Sequence, residues 1–237
     1  MLIQTHNSIA ERILFYKQDI ANTCLKYGKI VDQVRIVAVS KGHSVAVIRE
    51  AIKNGLLEFG ENYWQELCKK QHELGEANIT WHFIGHIQSN KVKKIAAAVD
   101  WVHSIDTLEV ITLLNQYRPE DLSPLNVCIQ INLDHEYSKS GTTIPQLYKL
   151  VDLVLNKPKL KLRGLMALPK AQQESNAQYQ DFMRFTAIYH ELNQQLDNIL
   201  DTLSMGMSND YQQAIHADST LLRLGTALFG CRGMQML

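Results

Sequence analysis

Two segments of the chain carry a long cationic side chain among apolar residues. Val34-Arg35-Ile36-Val37-Ala38-Val39-Ser40-Lys41 is a buried-strand pattern that ends in a lysine. A lysine held partly out of water loses proton affinity, and its free amine can then form a Schiff base with an aldehyde. The same residue can equally leave the strand and carry its ammonium to solvent. Leu221-Leu222-Arg223-Leu224 sets an arginine inside an apolar run. A buried guanidinium needs partners, which a structural ion pair or a ligand can supply. Gly225-Thr226, just beyond it, combines backbone N–H groups with a hydroxyl in the manner of an anion-binding turn.

Three further turns bring polar groups next to glycine. In Leu203-Ser204-Met205-Gly206-Met207-Ser208-Asn209-Asp210, Gly206 frees the backbone and Ser208 is placed to cap the helix that follows. A helix start of this kind offers N–H groups to an anion. Asp210 would repel a phosphate there, so its carboxylate must point away. In Phe59-Gly60-Glu61-Asn62-Tyr63, Gly60 permits an unusual turn and Asn62 offers a donor and an acceptor, although a simple Asn cap reads as well. In Trp81-His82-Phe83-Ile84-Gly85-His86-Ile87-Gln88-Ser89-Asn90-Lys91, His82 reads as a hydrogen-bonded core residue. His86, Gln88 and Asn90 crowd the turn after Gly85, and Lys91, Lys93 and Lys94 read as a solvated helix face.

These turns need elements to hold them. Apolar runs at Val34–Ser40, Leu57–Gly60, Trp81–Gly85, Trp101–Ile105, Val127–Leu133, Leu162–Ala167, Leu203–Met205 and Leu221–Leu224 read as strands. Helical periodicity fills the intervals at Val45–Asn54, Trp64–Leu74, Asn90–Ala98, Leu108–Tyr117, Ile144–Leu155, Asn176–Leu196 and Asp210–Ala217, and a helix over Ile3–Tyr27 precedes the first strand. Strands separated by helices pair in parallel through crossovers, and eight of them predict an α/β fold of the (β/α)8 TIM-barrel type. An open doubly wound sheet is the alternative. In the barrel, Lys41 and the turns after strands seven and eight share the mouth, where such folds build phosphate and active sites.

The composition narrows the function classes. The 237 residues hold 46% hydrophobic side chains, enough for a sizeable core, with no Pro/Gly/Ser-rich linker, so one domain over 1–237 is expected. Basic and acidic residues balance at 24 each, which gives no reason to expect nucleic-acid or anionic-membrane binding. Cys24, Cys68, Cys128 and Cys231 have no metal-ligand spacing and read as reduced thiols. No signal-peptide pattern or membrane-spanning run is present, so a cytoplasmic protein is expected.

Taken in order, several pieces resemble the YggS/PROSC family of pyridoxal 5′-phosphate (PLP) binding proteins, also called PLP homeostasis proteins. They are Ala38-Val39-Ser40-Lys41, Phe59-Gly60-Glu61-Asn62-Tyr63, Trp81-His82-Phe83-Ile84-Gly85 with Gln88-Ser89-Asn90-Lys91, His103-Ser104-Ile105-Asp106, Ser138-Lys139-Ser140-Gly141, Arg163-Gly164-Leu165-Met166, Leu203-Ser204-Met205-Gly206-Met207-Ser208, and Arg223-Leu224-Gly225-Thr226 with Phe229-Gly230. The resemblance implies a barrel like the N-terminal domain of alanine racemase, with the PLP aldehyde on Lys41. It implies Arg223 facing the pyridine nitrogen, Ser208, Gly225 and Thr226 holding the phosphate, Asn62 near the cofactor, and Met205 and Met207 lining the pocket. Two departures stand out. Asp218 precedes Ser219-Thr220 where the family has Gly; Asp tolerates left-handed backbone, but its charge would weaken a nearby phosphate site. Lys41-Gly42-His43 also lacks the family's usual residues after the lysine.

The implied function is a PLP carrier that takes part in intracellular PLP homeostasis, with PLP-dependent apoenzymes as transient partners; a monomer is expected because no second domain or long zipper pattern is visible. The alternative is a PLP-dependent amino-acid racemase. That chemistry needs a second acid/base opposite the lysine, for which Tyr63, His86 and Tyr211 are the candidates expected to open onto the mouth. The chain ends about where the barrel should end, which argues against a second catalytic domain. A barrel acting on a phosphorylated sugar without PLP is the third class.

Overall fold

The β-branched and apolar runs form strands that are covered on both faces, which is why they read as near-continuous hydrophobic segments rather than alternating ones. The computed structural model describes residues 8–75, 77–133, 140–168 and 174–231. Its strands are β1 (Arg35–Val39), β2 (Glu58–Glu61), β3 (Thr80–Phe83), β4 (Trp101–Ile105), β5 (Leu125–Ile131), β6 (Leu160–Ala167), β7 (Thr202–Ser204) and β8 (Leu221–Leu224). All pair in parallel in sequence order, and β8 returns to β1 with Arg35 opposite Leu221 and Ala38 opposite Leu224. That closure excludes the open doubly wound sheet.

The helices are α1 (Ile9–Lys26), α2 (Val45–Lys53), α3 (Trp64–Leu74), α4 (Val92–Ala98), α5 (Leu108–Tyr117), α6 (Ile144–Leu155), α7 (Ser175–Gln195), α8 (Tyr211–His216) and α9 (Thr226–Phe229). They lay apolar faces on the strands; Leu147, Leu150, Val151 and Val154 of α6 are buried at helical spacing. α1 starts with a reciprocal capping box between Ser8 and Glu11, buries Ile13, Ile20 and Cys24, and packs on α2, α8 and α9. No disulfide joins the four cysteines, of which Cys24 and Cys128 are buried.

The strand ends differ from the sequence reading at two glycines that matter for the mouth. β7 stops at Ser204, one residue earlier than expected, because Gly206 takes a left-handed φ of 92° and turns the chain. Gly60 lies inside β2 rather than in a turn. Its role is space: a Cβ there would come within 2.8 Å of Val37 Cγ1. The four-residue α9 was not anticipated, although Gly225 before it and Gly230 after it, at φ 80°, bracket it in the sequence.

Candidate functional site at the barrel mouth

Lys41 follows β1 by two residues and is half-buried. Both of its neighbours are clamped. The Ser40 hydroxyl donates to Glu61 Oε1 at 2.5 Å, and its carbonyl accepts from Lys70 Nζ at 2.6 Å. On the other side, Gly42 N–H donates to Glu66 Oε1 at 2.5 Å. Lys70 Nζ also donates to Glu61 Oε1 at 2.6 Å and Glu66 Oε1 at 2.7 Å, so one buried ammonium ties the whole clamp together. Burial pushes the Glu61 carboxyl up from the usual glutamate value, and Lys70 offsets only part of that. Its second oxygen, Oε2, is buried with no hydrogen-bond partner.

Arg223 sits in β8, nearly inaccessible to solvent. Its side chain crosses beneath the ends of β7 and β6. Nη1 donates to Ser204 O and Ser204 Oγ, both at 2.7 Å, and Nη2 donates to Ala167 O at 2.8 Å. All three acceptors are neutral. Burial lowers the guanidinium from 12.5 to about 10, which still leaves it charged at neutral pH. Of the two partners the sequence leaves open, the structural ion pair is absent among the described residues.

The turns after β7 and β8 meet. Ser208 does not cap α8, as its position before that helix suggested. Its Oγ instead accepts from Ala227 N–H at 3.0 Å, in the first turn of α9, and so joins the two turns. Local spacing favours the next helix, but the fold brings a later one closer. The Asp210 carboxylate folds back into its own turn, Oδ1 accepting from Met207 N–H at 2.6 Å, and its charge favours the charged form of Arg223. Gly225 packs on β1, where a Cβ would lie 3.3 Å from Val39 O, and Thr226 is exposed beside it. Lys41, Ser208, Gly225 and Thr226 therefore share one side of the mouth. Met207 is partly exposed there, while Met205 is fully buried in the core.

Asn62, after β2, carries a buried Oδ1 with no hydrogen-bond partner. It borders a cleft of about 520 Å³, lined also by Tyr63, Trp64, His86, Gln88 and Lys91. Gly85 allows this turn to close: a Cβ there would fall 2.1 Å from Asn62 O. Two expectations fail. Tyr211 does not open onto the mouth; it is buried, and its hydroxyl donates to the Asp19 carboxylate of α1. Asp218 lies before β8, at the opposite end of the barrel, where its carboxylate pairs with Lys29. It adopts φ 67°, so the left-handed turn survives the exchange of Gly for Asp and the charge stays away from the cradle. Ser138 and Lys139 of the recognised motifs lie outside the described residues.

The clamp residues Glu61, Lys70 and Glu66 escaped the sequence reading. The available signal was faint: Glu66 and Lys70 stand four apart on α3, an ordinary surface pairing.

Residues 18–233 match the family of the alanine racemase N-terminal domain. The Pseudomonas aeruginosa pyridoxal phosphate homeostasis protein is 45% identical over 226 residues, covering 95% of this chain and 96% of its own. The Escherichia coli K12 protein of the same name is 42% identical over 229 residues, covering 95% and 97%. This chain belongs to the pyridoxal phosphate homeostasis protein family. Within solved structures, this family member is similar to PipY of Synechococcus elongatus PCC7942 with PLP bound, at 32% identity and a TM-score of 0.83 over 94% of this chain and 100% of PipY. Alanine racemase from Corynebacterium glutamicum shares the fold at a TM-score of 0.66 and 15% identity, covering 97% of this chain and 62% of the racemase. No helix among the described residues is long and apolar enough to cross a membrane.

Proposed function

We propose that this chain binds PLP at the barrel mouth, as a Schiff base on Lys41, and serves intracellular PLP homeostasis rather than a robust catalytic reaction. The observation that carries the reading is Arg223: a buried, charged guanidinium whose hydrogen bonds all go to neutral oxygens and use three of its five N–H donors. The residues present fit PLP. Lys41 supplies the amine, adding to the aldehyde with loss of water. Ser208, Gly225 and Thr226 hold the phosphate, and Asn62 offers a buried acceptor near the ring. Met205 and Met207 bound the pocket, Met205 from the core side.

PLP supplies an electron sink when bound, strongest when the ring nitrogen is protonated. Arg223 can donate to that nitrogen but cannot accept its proton, so it favours the weaker sink. Relatives bearing the homeostasis name support the carrier role, as does PipY, solved with PLP. We further propose that the whole chain acts as one unit, a cytoplasmic monomer that hands PLP to apoenzymes. The alternative, an amino-acid racemase, gains some support from Tyr63 and His86 on the cleft beside Asn62. The deciding experiment is the visible spectrum of the purified protein before and after borohydride, followed by peptide mapping. A pyridoxyl group on Lys41 is expected; one on another lysine, with Lys41 unmodified, overturns the assignment. Rapid loss of amino-acid α-deuterium, abolished by Lys41→Ala, would establish the racemase instead.

A further inference from the structure

A continuous line of polar side chains crosses the barrel interior, where apolar filling is the rule. It starts at the end opposite the mouth. There Glu58, the first residue of β2, takes Arg35 Nε at 3.1 Å and Nη2 at 2.5 Å. Glu58 Oε2 lies 3.1 Å from His82 Nε2 on β3. His82 Nδ1 lies 2.9 Å from His103 Nε2 on β4. His103 Nδ1 lies 2.9 Å from Ser204 Oγ, on the far side of the barrel. Ser204 Oγ then accepts from Arg223. His82, His103 and Ser204 are all fully buried.

The ends of this line fix its direction. Burial raises the Glu58 carboxyl, but the hydrogen bonds from Arg35 and the close approach of His82 outweigh it and hold the group down to about 2, so it is ionised and can only accept. His82 Nε2 must then carry a hydrogen. Its approach to Glu58 is bent enough to miss a well-formed hydrogen bond, yet no other partner reaches that nitrogen, and a buried N–H is rarely left without one. His82 Nδ1 is therefore a lone pair and His103 Nε2 a donor. His103 Nδ1 is in turn a lone pair, and the Ser204 hydroxyl donates to it. The reversed order would face a lone pair of His82 toward a carboxylate and leave the Ser204 hydrogen without an acceptor. A doubly protonated imidazole is disfavoured at either histidine: burial pushes His103 well toward the neutral form and outweighs the Glu58 carboxylate at His82, and Arg35 opposes the charge on both.

We propose that Glu58, His82, His103 and Ser204 are positioning residues for Arg223: a one-way hydrogen-bond line that anchors the guanidinium from the floor of the barrel and leaves its unused donors for the PLP ring nitrogen. Three of the five guanidinium N–H groups are engaged by Ser204 and Ala167, which leaves two. The inference rests on the PLP reading for what the donors meet, but the direction of the line is a property of the protein alone.

Imidazole 15N NMR of the apoprotein reads that direction. Both His82 and His103 are expected as neutral Nε2–H tautomers. An Nδ1–H tautomer or an imidazolium at His103 near neutral pH overturns the line, whatever happens with PLP. Glu58→Gln keeps the shape and removes the fixed acceptor. It should give mixed tautomers at His103, PLP binding about tenfold weaker, as one Arg223 donor is less firmly aimed, and a shifted bound-cofactor absorbance. Ser204→Ala should weaken PLP similarly while leaving borohydride trapping on Lys41 intact. Unchanged affinity and spectrum in both variants refute the positioning role. Wild-type protein that binds no PLP while showing the expected tautomers would instead sink the PLP reading alone.

Discussion

At the floor of the barrel, charged groups answer one another. Arg35 pairs with Glu58, Arg163 grips Asp201 and Asn126, and the indole of Trp101 lies within 4.7 Å of the Arg35 guanidinium and 4.6 Å of that of Arg163. At the mouth, Lys70 pairs with Glu61 and Glu66 beside Lys41, but the groups across from them stand over neutral or incomplete partners. Arg223 hydrogen-bonds only to oxygens without charge, Asn62 Oδ1 has no partner, and the turns bearing Ser208 and Thr226 are tied to each other through the Ser208–Ala227 hydrogen bond. The lesson is that a cation inside an apolar strand is not diagnostic by itself. What separates Arg35 from Arg223 is the direct partner: Arg35 is hydrogen-bonded to a carboxylate, whereas Arg223 feels the Asp210 charge but places its hydrogen bonds on neutral oxygens.

The sharpest way to break this contrast is at Lys41. Lys41→Ala should abolish all borohydride-trapped cofactor and leave urea unfolding within about 0.5 kcal/mol of the wild type, since a half-exposed side chain outside the core contributes little. Substantial destabilisation would mean that the mouth is structural after all.

Lys70 tests the ground beneath it. Lys70→Met removes the ammonium from the Glu61, Glu66 and Ser40 cluster and leaves a buried carboxylate without its counter-charge, which should cost roughly 3–5 kcal/mol in urea unfolding. A neutral result would show that the clamp around Lys41 is dispensable.

Phosphate binding sharpens the mouth itself. Pyridoxal should bind at least about a hundredfold more weakly than PLP, because each charge-assisted hydrogen bond lost from Ser208, Gly225 or Thr226 is worth roughly 1.5–3 kcal/mol. Equal affinities would remove the cradle from the site.

The floor has its own signature in acid. Glu58 is held at about 2, below the ordinary glutamate value near 4.5. A lowered carboxyl stabilises the fold above the unfolded value and loses that contribution as pH falls through the folded one. Stability on the order of 3 kcal/mol should therefore fade between about pH 4.5 and 2, and Glu58→Gln should flatten that part of the profile. The smallest effect belongs to Arg163→Met, which breaks a partly exposed pair with Asp201. A cost of about 1 kcal/mol with unchanged PLP affinity is expected; weaker PLP binding would join floor to mouth in a way the pairing does not suggest.

Much of this was legible in the chain. Residues at the bounds of β4, β8, α3, α5 and α6 fall where the apolar periodicity puts them, because periodicity is a local record of which face is buried. Arg223 was conspicuous for the same reason: a cation in an apolar strand violates the pattern. Asp218 in a left-handed turn was readable from side-chain chemistry.

Other features depend on closure of the barrel. Lys69 and Lys70 are adjacent and alike in sequence, but one is 78% exposed and the other 5%, because only α3 packed on the strands decides which ammonium meets Glu61. Ser208 caps a helix 19 residues away instead of the next one. His103 reaches a serine 101 residues later only because β4 and β7 face each other across the interior. The sequence by itself determined which segments are strands, which helices, and which side chains are out of place among apolar neighbours, since propensity and burial pattern act over a few residues. The tertiary structure alone decided which of those side chains find partners, because hydrogen bonds and ion pairs require angstrom-scale proximity that strand order, register and closure confer.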